Sequence, residues 1–208
     1  MDKNLIKSYF KGCLTIPNLL SVIRIALIPV FAWLFLNNEK LIAVVILFIS
    51  GLTDLFDGKI ARRFNQISEL GKMLDPLADK LTQIAIAIIM LIVFLGSENA
   101  TIRAAGWVFL VFLIKEALFI VGAVIMIALG IKPGAAEIYG KVATFVFYGV
   151  MIFILLFGPE VGVFCEYFVI PDILTVILIA ISAICTLIAF AGYIPAVCTQ
   201  VKERFSKK

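Results

Sequence analysis

Four aspartates stand close together in a chain that is otherwise mostly apolar: Asp54, Asp57, Asp75 and Asp79. The first pair is spaced i, i+3 and the second i, i+4, so on helices each pair shares one face. Gly58 and Ala61 continue the face of the first pair. The stripe opens with carboxylates and ends with residues that have almost no side chain. Such a surface lets a large anionic ligand lie against bare backbone, with metal ions held between it and the acids. The chain has no histidine, which excludes imidazole catalysis and histidine ligation.

A charged side chain at the centre of a membrane helix costs about 2.5–3.5 kcal/mol on insertion scales. Four converging carboxylates also repel one another. Arg24, Arg62 and Lys80 are candidate counter-charges, but three flexible cations match four acids poorly. Divalent metal removes the conflict. Mg²⁺ or Mn²⁺ takes carboxylate oxygen and keeps positions open for water or phosphate. Two such ions suit phosphoryl transfer, because they neutralise a pyrophosphate and stabilise the leaving oxygen. Gly58 and Ala61 leave room for a nucleotide, and the planar fork of Arg62 suits phosphate. The acid left nearest an acceptor can serve as general base.

The elements that must position these residues are membrane helices. Of 208 residues, 63% are hydrophobic, well above the share usual in soluble domains. Long apolar runs separated by short charged segments predict an all-α, polytopic membrane protein. Six spans are expected near residues 18–36, 41–63, 72–95, 105–129, 138–157 and 171–195, as one membrane domain covering 17–198. Breakers mark the connections: Asn37-Asn38, Gly96-Ser97, Lys132-Pro133-Gly134 and Gly158-Pro159. Residues 1–16 read as a short amphipathic helix in the membrane interface, with Lys3, Lys7 and Lys11 on one stripe. Residues 199–208 read as a basic tail. The start of the chain has lysines but no short apolar core before a small-residue cleavage site, so no signal peptide is expected. Cys13, Cys165, Cys185 and Cys198 have no metal-ligand spacing and read as small apolar residues.

Basic residues set the orientation. With a cytoplasmic N-terminus, fourteen of them fall on the cytoplasmic side, among them Lys59, Arg62, Arg63, Lys72, Lys80, Lys132 and Lys141. Only Lys40 and Arg103 fall opposite, and Arg24 and Lys115 remain within spans. Both termini are therefore expected in the cytoplasm, with the protein in the cytoplasmic membrane. At 1.5 Å per residue, Asp54 and Asp79 lie about 10 Å from the cytoplasmic boundary. Two antiparallel helices would bring the acid pairs to one depth, with residues 62–71 as the turn between them. Pro76 removes a backbone donor beside Asp75 and can bend the helix start.

Asp54-x-x-Asp57-Gly58-x-x-Ala61-Arg62, eight residues, then Gly71-x-x-x-Asp75-x-x-x-Asp79 resembles in full the signature of the CDP-alcohol phosphotransferase family. Ile16-Pro17-Asn18-Leu19-Leu20-Ser21-x-x-Arg24 is similar to the opening of that family's first span. Asp75-Pro76-Leu77-Ala78-Asp79-Lys80 resembles the form in its bacterial phosphatidylglycerophosphate and cardiolipin synthases. The likeness weakens after about residue 95.

The resemblance implies a six-helix membrane fold, a homodimer, and an active site open to cytoplasm and bilayer. It implies attack of a hydroxyl on the β-phosphorus of a CDP-linked lipid, CDP-diacylglycerol, with CMP leaving. Asp54, Asp57, Asp75 and Asp79 then hold two Mg²⁺ or Mn²⁺ ions, and Asp79 is also the base. Gly58, Ala61, Arg62, Ser68 and Gly71 contact the CDP moiety, and Asn18 and Ser21 line the same pocket. Arg24, Lys115 and Lys141 are assigned to the acceptor alcohol. No nucleic-acid partner is implied.

Glycerol 3-phosphate is the expected acceptor, with phosphatidylglycerol, and then inositol or serine, as alternatives. Phosphatidylglycerophosphate synthases carry Arg-Glu and a further Arg in span four, and Gly-Lys-x-Lys-Thr at span five. Here the matching residues are Lys115-Glu116 with Val124, and Gly140-Lys141-Val142-Ala143-Thr144. Fewer cations face the acceptor, which strengthens the cardiolipin synthase alternative. Lys115 could instead snorkel or pair with Glu116. A reading of another class is a cation transporter, since acids in spans also mark ion pathways. The aspartates lie toward one membrane face rather than at the midplane, and no inverted repeat is visible.

Overall fold

The computed structural model describes residues 15–63, 69–128 and 138–206. They form six α-helices: α1 (Ile16–Leu36), α2 (Lys40–Arg63), α3 (Glu69–Leu95), α4 (Ala100–Ala128), α5 (Ile138–Phe157) and α6 (Asp172–Ser206). Among the described residues there is no strand. The expected interfacial helix over residues 1–16 lies almost wholly outside the described residues.

Five segments are long and apolar enough to cross a membrane: Asn18–Leu36, Pro76–Leu95, Ala100–Met126, Tyr139–Phe157 and Asp172–Pro195. The described apolar part of α2, Lys40–Thr53, is shorter. By length and composition the chain is a multi-pass membrane protein.

Two helices differ most from the expected spans. α4 starts at Ala100 rather than 105, because Asn99 caps it: its Oδ1 accepts from the Thr101 N–H at 2.9 Å. This is the usual way an N-cap side chain satisfies an orphan amide. α6 continues through Pro195 to Ser206, so the expected tail begins as helix. A proline costs its own N–H and crowds the preceding turn. The Pro195 carbonyl accepts from the Thr199 hydroxyl at 2.9 Å.

The fold divides into two compact units, one reaching to Ile86 and one starting at Ala87, with the division inside α3. In the first unit, Thr15 caps α1 by accepting from the Asn18 N–H, and Pro17 sits in the first turn, where its missing N–H costs nothing. The α1–α2 turn closes at Asn38, whose φ is 67°. The Glu39 N–H bonds to Leu34 O at 2.9 Å and the Asn38 N–H to Phe35 O at 3.2 Å. This pair of bonds is a Schellman closure, with asparagine in the left-handed position. It returns α2 antiparallel against α1.

Both helices bury one stripe. On α1 it is Asn18, Ser21, Arg24, Phe31, Leu34 and Phe35; on α2 it is Ala43, Val44, Leu47 and Ser50. Their outer faces, including Leu19, Val22, Trp33, Val45 and Phe48, are exposed and apolar, as a lipid-facing surface requires.

In the second unit α6 packs against both α4 and α5. Phe94, Phe109, Phe112 and Phe147 form a continuous aromatic chain with centroid separations of 5.1–5.9 Å. Gly106 permits the close approach of α4 to the end of α3: a Cβ there would lie 3.2 Å from Phe94 Cβ and from the Leu95 nitrogen. One end is tied by polar contacts. Ser97 donates to Glu160, and Asn99 Nδ2 donates to Asp172 at 2.6 Å.

Candidate active site

The site builds on the first unit. Leu27, Ile28 and Phe31 of α1, Ile46, Leu47 and Ser50 of α2, and Thr82 and Ala85 of α3 surround one small internal gap. Three helices therefore meet at this level. Thr82 anchors itself there by donating to Ala78 O at 2.9 Å, and Thr53 donates to Ser50 O at 2.7 Å.

One helical turn beyond that level the interior becomes charged. Arg24 Nη1 of α1 donates to Asp79 Oδ1 of α3 at 2.6 Å. The Arg24 side chain is only 1% exposed, and that of Asp79 is 23% exposed. Asp54 follows Ser50 on α2 by one turn. Ala43, Leu47, Ser50, Asp54, Asp57 and Ala61 fall at steps of four and three, so the acids occupy the register of the buried stripe. The α1–α2 turn makes those helices antiparallel, so the C-terminal half of α2 lies toward the end of the unit where α1 begins. The Arg24–Asp79 contact places the start of α3 at that end as well.

Sequence named Arg24 both as a candidate counter-charge to the acids and as an acceptor contact; the structure places it on Asp79. Asn18 and Ser21 lie on the same buried face as Arg24, at 5% and 2% exposure. The spacing Asn18, Ser21, Arg24 in an apolar span is the signal that α1 turns a polar edge inward. Lys80 donates to Gln83 Oε1 on its own helix at 3.4 Å. Gly58, Ala61 and Arg62 lie on α2, and Gly71 and Asp75 on α3. The side chains of Asp54, Asp57, Ala61, Arg62 and Asp75, the surroundings of Gly58, and Ser68 altogether, lie outside the described residues.

In the second unit, Lys115 and Glu116 of α4 form a buried ion pair. Lys115 also borders an apolar recess with Val111, Phe112, Ala183, Thr186 and Leu187. Burying two charges is tolerable when each neutralises the other, whereas either alone would be costly. Lys141, on the first turn of α5, is exposed.

The model of the CDP-alcohol phosphatidyltransferase family matches residues 14–188. The chain belongs to this family. Its relatives include a cardiolipin synthase (CMP-forming) of Streptomyces coelicolor, 41% identical over 138 residues, which cover 64% of this chain and 60% of the relative. A CDP-diacylglycerol–glycerol-3-phosphate 3-phosphatidyltransferase of Aquifex aeolicus is 31% identical over 181 residues, 86% of this chain and 94% of the relative. Human cardiolipin synthase (CMP-forming) is 49% identical over 75 residues, 36% of this chain and 25% of the relative. The chain spans about three fifths of the length of the Streptomyces and Mycobacterium relatives it matches. Family membership gives the aspartate register on α2 and α3 a chemical context, and the Arg24–Asp79 pair falls inside it.

Proposed function

We propose that this protein transfers a phosphatidyl group from CDP-diacylglycerol to an alcohol, releasing CMP, as a step of phospholipid biosynthesis. The observation that carries this reading is the eight-position signature set on two neighbouring helices, within a family match that spans most of the chain.

Asp79 takes the proton of the acceptor hydroxyl. The hydroxyl oxygen forms a bond to the β-phosphorus, and the bond from that phosphorus to the bridging oxygen breaks, its electron pair leaving with CMP. Arg62 and the small Gly58–Ala61 face receive the nucleotide, with Ser68, Gly71, Asn18 and Ser21 beside it. The donor set fits divalent metal of the hard kind: carboxylates on adjacent helices, in a chain without histidine. Asp54, Asp57, Asp75 and Asp79 would hold it, as two Mg²⁺ or Mn²⁺ ions. Bound there, metal supplies the positive charge that neutralises the pyrophosphate.

Phosphatidylglycerol is the acceptor favoured by the Lys115–Glu116 pair. That pair leaves little net positive charge on α4, which suits a phosphodiester better than the doubly charged phosphomonoester of glycerol 3-phosphate. The second reading, glycerol 3-phosphate, is supported by the Aquifex relative, nearly all of whose length is matched. The deciding assay supplies purified protein with CDP-diacylglycerol and each of phosphatidylglycerol, glycerol 3-phosphate, inositol and serine, and measures CMP. Release with phosphatidylglycerol alone is expected; release with glycerol 3-phosphate alone reverses the order, and none with any acceptor overturns the reading.

The proposal includes a cytoplasmic-membrane location, residues 1–16 in the interface, and α2 as a sixth span with its acidic half toward the cytoplasm. An even number of spans puts both termini on the same side, and the bias of basic residues makes that side the cytoplasm. Single cysteines at Asn99 and Lys202, in a background cleared of the native thiols, should then label from opposite sides. A homodimer is expected, and mass measurement in nanodiscs checks it.

A further inference from the structure

Beyond the four aspartates, we propose that Arg24 is a positioning residue: α1 fixes the orientation of the Asp79 carboxylate through it. The inference rests on the phosphatidyltransferase reading for its consequence, but its structural content stands on the contact alone.

Three observations carry it. The guanidinium meets Oδ1 of Asp79 at 2.6 Å, at the short limit of a charge-assisted hydrogen bond. Among the described residues Arg24 is one of the most deeply buried large side chains, whereas Asp79 keeps partial exposure. The cation is therefore anchored in protein, and the acid is presented from it. Finally, both ends of the helix that carries Arg24 are closed by its own residues and its turn into α2, with a cap at Thr15 and a closure at Asn38.

The physical consequence concerns a short side chain. An aspartate has two side-chain torsions, and its rotamers send the carboxylate in different directions. A base must lie within hydrogen-bond reach of the proton it takes, and small errors of placement in a catalytic group cost rate steeply. A planar guanidinium with donors in a fixed fork holds one rotamer better than a rotating ammonium does. Arg24 does not touch the reacting atoms in this scheme. It acts through Asp79.

Turnover and metal affinity separate this role from the alternatives. In Arg24→Gln, kcat for CMP release should fall at least about 10-fold, with the KM of CDP-diacylglycerol within about twofold of wild type. Arg24→Lys should fall between the two. Mn²⁺ binding to the detergent-solubilised protein, read by electron paramagnetic resonance without substrate, provides a readout free of turnover. Removing a neighbouring cation by charge alone would tighten Mn²⁺ binding, so the several-fold weakening expected for Arg24→Gln reports lost orientation. In an Asp79→Asn background, Arg24→Gln should change Mn²⁺ affinity less than about twofold, because the group it positions has been altered.

If Arg24→Gln does not fold, Arg24→Lys carries the test through its kcat, KM and Mn²⁺ affinity. Wild-type kcat and Mn²⁺ affinity in the folded variants would overturn the inference. So would tighter Mn²⁺ binding, an undiminished effect in the Asp79→Asn background, or a selective rise in acceptor KM. Failure of the proposed function is seen separately, as absence of CMP release by wild type, and leaves the Mn²⁺ cycle readable.

Discussion

The two compact units solve the same problem in opposite ways. Up to Ile86 the buried stripe begins polar, with Asn18, Ser21 and Arg24, and adds Ser50, Thr82 and Gln83. From Ala87 onward the interior is dominated by Phe94, Phe109, Phe112, Phe147, Met151 and Ile154. In a bilayer the hydrophobic effect does not separate interior from exterior, so helices associate through close packing and polar contacts. The second unit relies chiefly on packed rings, mostly edge to face, and its charged pair, Lys115 with Glu116, is made by neighbours on one helix. The first unit sends charge across helices, from α1 to α3. Both units bury polar side chains, but an ion pair between helices is the costlier kind to assemble inside a membrane, and the first unit, which makes one, carries the aspartate signature.

The largest expected effect tests whether that difference is chemical. Asp54→Asn and Asp75→Asn should each lower CMP release by about three orders of magnitude or more and abolish its dependence on added Mg²⁺ or Mn²⁺. Activity that survives in excess chelator would reduce the polar interior to a packing feature. Asp79→Asn keeps shape and removes the base. Turnover should fall about 10²-fold or more, with CDP-diacylglycerol binding retained by a direct binding measurement. A near-normal kcat would move the base elsewhere.

The aromatic unit should respond in stability instead. Phe109→Ala removes a fully buried ring from the middle of the chain of phenylalanines and should cost about 3–5 kcal/mol, read as a fall in thermal midpoint. The folded fraction should keep its metal dependence. The smallest effect sharpens the comparison at its weakest point, Lys115. Lys115→Ala should raise the acceptor KM a few-fold, more than that of CDP-diacylglycerol. Because the substitution also strands Glu116, it is compared with the double variant Lys115→Ala/Glu116→Gln. Restored stability with the KM effect retained assigns Lys115 to the acceptor; equal KM changes for both substrates assign it to packing.

The sequence by itself determined the family, the all-helical class and the register of the acids. These are local properties: apolar run length sets a span, and 3.6 residues per turn sets which residues share a face. Asp54 with Asp57 and Asp75 with Asp79 could be paired on that basis alone. The early start of α4 was missed, although Asn99 stands as a capping residue ahead of the apolar run. The continuation of α6 beyond Pro195 was not legible, because a proline signals a break and its tolerance depends on the neighbouring turn. The pairing of Lys115 with its neighbour Glu116 was open in the sequence; tertiary structure alone decided where Arg24 goes. Nothing in sequence distance relates Arg24 to Asp79, 55 residues apart. Their contact depends on how three helices meet around Leu27, Ser50 and Thr82, and on which face of α1 turns inward. The spacing of Asn18, Ser21 and Arg24 marks the edge of α1 that turns inward, but which acid Arg24 meets is undetermined until α3 is in place.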